Sequence, residues 1–152
     1  MQGKTHAVIG GLAGASVALA TGASLEYGLL YSLVGGISGL IPDWLQINLP
    51  GASNQIKGCF GHRGISHWAW TPLTVALFLS SSFPSTLQWP FLAFLGGWGS
   101  HILLDCFSGG VPVFWPFGRV VLGHVKTGEK LDSFIGGVGI VLLALTISKI
   151  VL

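Results

Sequence analysis

Long stretches of this chain carry no ionised side chain, and that feature constrains its fold more than any other. No Lys, Arg, Asp or Glu lies between Lys4 and Glu26, between Glu26 and Asp43, or between Arg63 and His101, and beyond Asp132 only Lys149 interrupts. Charged residues make up 8% of the 152 positions and apolar ones 51%. A soluble domain carries about 25% charged residues. So little charge cannot cover a water-facing surface, which excludes a soluble cytosolic globule, a disordered tail and a basic nucleic-acid binder. Hydrocarbon is the expected main solvent, with membrane lipids as partners and no nucleic acid. The length allows one domain, read as a single membrane-embedded helical unit over 1–152.

A helix needs about 20 apolar residues to cross about 30 Å of hydrocarbon. The charges then punctuate about five spans: Thr5–Thr21, Tyr27–Leu40, Ser66–Phe83, Trp89–Phe107 and Ser133–Leu152. The second reaches adequate length only with Glu26 and Asp43 at the headgroups. Helices are expected rather than a barrel, because the apolar runs are continuous and lack in–out alternation. The fold class expected is thus all-α, a polytopic integral membrane protein. Lys4, the apolar run and Ala18–Ala20 also fit a secretory leader, but His6 sits poorly in one. Gly10/Gly14 and Gly35/Gly39 are four apart, a spacing that lets helices approach closely; in a chain with 24 glycines such pairs also arise by chance.

Cytoplasmic loops are enriched in Lys and Arg. Lys4, the Leu45–Ile65 loop (Lys57, Arg63) and the Ser108–Asp132 loop (Arg119, Lys126, Lys130) share one side of this topology. Gly22–Glu26 and Pro84–Gln88 hold no Lys or Arg. The expected location is the cell inner membrane, with a cytoplasmic N-terminus and Lys149 near the outer face, where it can snorkel.

The same side collects every histidine and aspartate. His6 opens the first span and Asp43 follows the second. His62 and His67 bracket the start of the third, and His101 and Asp105 close the fourth. Ionisable groups at membrane spans are costly and tend to be functional. Five histidines against two glutamates is not the composition of a solvating loop. His with Asp is a ligand set for zinc or a similar divalent ion. His101 and Asp105, four apart, share a helix face. In His62-Arg-Gly-Ile-Ser-His67 the histidines are five apart, so His62 is placed in a loop folding back, with Ser66 as a helix cap. Pro42 ends the second span and exposes Asp43. Thr5 is another candidate cap. Six candidate ligands, His6, Asp43, His62, His67, His101 and Asp105, exceed one closed tetrahedral site. They suit one ion with supporting residues, or two ions sharing ligands.

The motifs Thr5-His6, Ile41-Pro-Asp43, His62-Arg-Gly-Ile-Ser-His67 and Gly99-Ser-His-Ile-Leu-Leu-Asp105, running on to Gly110–Phe117, together resemble a bacterial family. This is the family of small membrane-bound, metal-dependent hydrolases typified by the inner-membrane protein YdjM. The resemblance implies a metal-dependent hydrolase. The family often has a second acid two residues after the Pro-Asp, where this chain has Leu45. It also favours Thr and Ser around the second histidine, where this chain has Ser66 and Trp68. More distantly, the order His6, Asp43, His62 or His67, His101/Asp105 is similar to that of zinc-dependent phospholipase C, which implies a phosphoester substrate.

The combined expectation is a hydrolase at the cytoplasmic membrane face, acting on an amphiphilic ester or phosphoester. His6, His67, His101 and Asp105 are the leading ligands. Asp43 is ligand or general base, and His62 is ligand or proton shuttle. Arg63 either grips a substrate phosphate or anchors topology. His124 is read as a loop residue, and Trp44, Trp68, Trp70, Trp89 and Trp98 as packing and interface anchors. Cys59 and Cys106 are left out of the site, since a cytoplasmic disulfide is not expected. The competing class is a non-enzymatic protein that binds or moves a divalent metal, or a small membrane scaffold.

Overall fold

A computed structural model describes residues 1–45, 64–80, 84–112 and 118–152. Among these the chain is all-helical: α1 (Gly3–Ala20), α2 (Leu25–Ser38), α3 (Ile41–Trp44), α4 (Trp70–Ser80), α5 (Gln88–Phe107) and α6 (Lys130–Val151). Three-residue 3-10 turns precede α4 and α5, at Ile65–His67 and Ser85–Leu87. Isolated antiparallel bridges join Ser108 to His124 and Val111 to Val120.

A helix falls in each expected apolar run with its bounds shifted, most of all in the third, whose expected end at 81–83 lies outside the described residues. The third begins at Trp70 rather than Ser66, because Ile65–His67 winds as a separate turn and Trp68 is extended. Pro72 falls in the first turn of α4, where its missing N–H costs nothing. Neither expected cap forms. Ser66 lies in the 3-10 turn ahead of α4, and Thr5 lies inside α1, which starts at Gly3. Pro42 opens the one-turn helix α3 rather than merely closing α2, which ends at Ser38. At 14 residues, α2 rises only about 21 Å. Among the described residues, α6 is the one helix long and apolar enough to cross a membrane.

The glycine pairs form a seam. A Cβ on Gly10 would strike the Gly35 carbonyl, and one on Gly14 the Tyr31 carbonyl. A Cβ on Gly97 would strike the Gly35 carbonyl and the Ser38 hydroxyl. So α1, α2 and α5 meet backbone to backbone around Gly35. Small residues allow this, and helices in lipid gain van der Waals contact from it. α6 packs on α1, and α4 on α5.

Polarity is distributed inside out. Leu33, Leu77, Phe78, Phe134, Ile140 and Val141 are exposed. His6, His67, His101, Asp105 and Asp132 are among the largest fully buried side chains. In water that surface would be an aggregation hazard; in lipid it is the expected exterior.

Candidate metal centre

The start of α1, the turn before α4 and the ends of α2 and α5 meet at one end of the bundle. The Gly35 seam brings α1, α2 and α5 close enough for their terminal side chains to touch. Asp43, His67, His101 and Asp105 come together there, each offering one ligand atom within 4.8 Å of the others. The His67 and His101 Nε2 atoms are 3.1 Å apart. Asp43 Oδ1 is 3.7 Å from His67 Nε2 and 3.6 Å from His101 Nε2. Asp105 Oδ2 is 3.6 and 3.9 Å from the same nitrogens. Metal–ligand bonds of about 2.0–2.2 Å place tetrahedral donors about 3.3–3.6 Å apart; the five edges that involve a histidine bracket that range, and the Asp43–Asp105 edge lies within 4.8 Å.

Hydrogen bonds behind the rings decide which nitrogens face inward. His101 Nδ1 lies 2.7 Å from the Gly39 carbonyl, which can only accept, so Nδ1 carries the proton. His67 Nδ1 lies 3.0 Å from Ser66 Oγ. That hydroxyl donates its single proton to the Pro42 carbonyl at 2.9 Å, so toward the ring it accepts. Both histidines therefore donate outward from Nδ1 and aim Nε2 lone pairs at the centre. This is the outer support that metal-binding histidines carry. The two Nε2 atoms at 3.1 Å, flanked by two carboxylates, are close enough to share a proton or to bind one cation between them. The residues fit a divalent ion by donor type, spacing and ring orientation.

His101, His67 and Asp105 are almost wholly buried, whereas the Asp43 side chain is 28% exposed. Asp43 is thus the member of the group that reaches the surface. Trp98, Ile102, Cys106 and Val111 form an apolar cluster that includes the neighbours of His101 and Asp105 on α5.

His6 stands beside the quartet rather than in it. Its ring stacks on His101 at 3.8 Å between centroids, and its Nε2 lies 3.2 Å from Asp105 Oδ1. That oxygen also accepts from the Met1 nitrogen and from Ser108 Oγ, each at 3.0 Å. Asp105 thus turns one oxygen to the quartet and the other to α1. His124 is exposed in the loop after α5 and is not part of the group. His62, Arg63 and Cys59 lie outside the described residues.

Three features were not legible as site parts. Trp98 donates from Nε1 to the Ser66 carbonyl at 2.9 Å, fastening the His67 turn to α5. Its spacing from His101 and Asp105 (three and seven residues) could have signalled this, since these positions share a face. Ser66 supports a ring instead of capping a helix. Asp132 accepts from Thr5 Oγ1 at 2.8 Å, the Gln2 amide at 3.0 Å and the Gly128 amide at 2.8 Å, tying α6 to α1.

No curated protein and no solved structure matches the chain. A family model described as YdjM inner membrane protein matches residues 1–151. The match spans the His/Asp centre and all the helices around it, and the chain belongs to the YdjM inner membrane protein family.

Proposed function

We propose that this protein is a metal-dependent hydrolase of the inner membrane, acting at the cytoplasmic face on an amphiphilic ester or phosphoester. One observation carries the reading. Two histidine Nε2 atoms and two carboxylate oxygens stand within 4.8 Å of one another, and Asp43 is the partly exposed member. One zinc or similar ion would be held by His67, His101 and Asp105, with Asp43 either as fourth ligand or, where the fourth position is left to water, as general base; a second would need His6 and His62. When bound, such an ion polarises an ester oxygen and acidifies water. Asp43, the exposed member, is placed to take the proton of the attacking water as general base. Water adds to the ester centre, the ester bond breaks, and the alcohol leaves with a proton. In this reading His62 shuttles that proton or adds a ligand, and Arg63 grips a phosphate.

Five spans with a cytoplasmic N-terminus put the centre at headgroup depth, where an amphiphile presents its ester. The apolar exteriors of α2, α4 and α6 support several lipid-facing helices. The runner-up is a non-catalytic metal tie or carrier. With Asp43 as fourth ligand the tetrahedron is closed and the ion is structural, because catalytic sites keep a position open. A carrier fits less well, since transported ions bind near the bilayer midplane.

Metal analysis of purified protein comes first. No stoichiometric metal in the wild type sinks the reading. With metal bound, turnover of a lipid and phosphodiester panel, lost in Asp43→Asn, supports the hydrolase; metal without turnover supports the structural tie. A cysteine introduced near Lys126 should resist labelling from outside intact cells, and labelling there would reverse the orientation.

A further inference from the structure

Ser66 sits where three parts of the centre meet. Its hydroxyl donates to the Pro42 carbonyl at 2.9 Å, one residue before Asp43. The same oxygen faces His67 Nδ1 at 3.0 Å. Its own carbonyl accepts from Trp98 Nε1 at 2.9 Å, on the helix that carries His101 and Asp105. The side chain is buried, so water is a poor substitute for any of these contacts. Proton accounting makes the hydroxyl directional. A carbonyl cannot donate, so the hydroxyl proton goes to Pro42 and the lone pair goes to His67.

We propose that Ser66 is a positioning residue, which fixes the tautomer of His67 with Nε2 toward the centre and holds the Asp43 turn in register with it. The part of this that concerns affinity rests on the metal reading above; the tautomer does not. Ser66→Ala would remove the hydroxyl that faces both His67 Nδ1 and the Pro42 carbonyl. The ring then loses its bias toward an inward lone pair. Threonine keeps a hydroxyl at the same carbon and preserves both bonds. Outer-shell partners of metal-binding histidines change affinity by about 10- to 100-fold when lost.

The experiment uses the full-length chain in detergent micelles, with zinc alone as probe. Zinc affinity is read by competition with a chromophoric chelator for wild type, Ser66→Ala and Ser66→Thr. The His67 tautomer is read from ring nitrogen chemical shifts in metal-free protein. The expected result is affinity about 10- to 100-fold weaker in Ser66→Ala and restored in Ser66→Thr. His67 should be in the Nδ1–H form in wild type and Ser66→Thr, and mixed in Ser66→Ala. Equal zinc affinity in Ser66→Ala and wild type overturns the proposal and leaves the metal reading standing. Wild type that binds no zinc sinks the metal reading, and the nitrogen shifts then decide Ser66 alone. Wild-type His67 in the Nε2–H form overturns the proposal whatever the zinc result, and this measurement does not depend on Ser66→Ala folding.

Discussion

Two groups of aspartates lie at the same end of the bundle, and they are held differently. Asp132 is surrounded by protein donors: one hydroxyl and two amides at 2.8–3.0 Å. Its charge is met from within the chain, and the result ties α6 to α1. Asp43 and the inner oxygen of Asp105 instead lie against the Nε2 atoms of His67 and His101, at 3.6–3.9 Å. A buried carboxylate with its donors in place is a structural joint. Carboxylates grouped with imidazole nitrogens are the donor set of a divalent ion. Burial alone does not separate these cases, since Asp105 and Asp132 are buried alike. The kind of neighbour does: hydroxyl and backbone amides around Asp132, imidazole nitrogens around Asp43 and Asp105.

The largest test of this contrast removes the outside-charged group. His101→Ala with Asp105→Ala should reduce bound zinc from about one ion per chain to none, read by elemental analysis of purified protein. Zinc retained at wild-type level would erase the distinction between the two groups. Next comes the scaffold that serves both. Leu at Gly14 would be driven into the Tyr31 carbonyl and should cost about 3 kcal/mol or more, with metal lost as well, seen in thermal unfolding by circular dichroism. A stable, metal-loaded Gly14→Leu variant would mean that the glycine seam does not position the centre.

Asp132→Ala should act the opposite way from the first pair. It strands the Thr5 hydroxyl and the Gln2 and Gly128 amides, costing about 1–3 kcal/mol, while zinc stoichiometry stays at the wild-type value. Loss of zinc without loss of stability would move Asp132 into the centre. The smallest effect is expected from His124→Ala. His124 is exposed, so stability should hold within about 0.5 kcal/mol and zinc content should not change. A drop in zinc would bring the loop histidine into the site.

Much of this arrangement was legible from spacing. His101 and Asp105 are one helical turn apart on a continuous helix, so their shared face follows from geometry alone. Asp43 after a proline, and His6, His67 and His101 at the ends of apolar runs, place the candidates at one end of the bundle. What spacing could not give was selection among them. His6 and His67 each lie near an inner helix end, yet His67 enters the quartet while His6 stacks on its edge. That choice depends on a 3-10 turn that a continuous-helix reading of Ser66–Phe83 misses. The role of Ser66 was misread for the same reason: Ser before an apolar run resembles a cap, and only the fold brings the Pro42 carbonyl to it across 24 positions of chain.

The sequence by itself determined the solvent, the helical class, the approximate helices and the end of the bundle where chemistry gathers. All of these follow from local rules: charge is costly in hydrocarbon, and one helical turn joins residues four apart. Tertiary structure decided which donors meet, which nitrogen of each imidazole faces inward, and why Asp132 is a joint while Asp43 and Asp105 are candidate ligands. Those outcomes depend on hydrogen-bond partners far apart in the chain, brought together by backbone contact at Gly10, Gly14, Gly35 and Gly97. Glycines at helical spacing are common enough to be uninformative until a neighbouring carbonyl fills the space a Cβ would need.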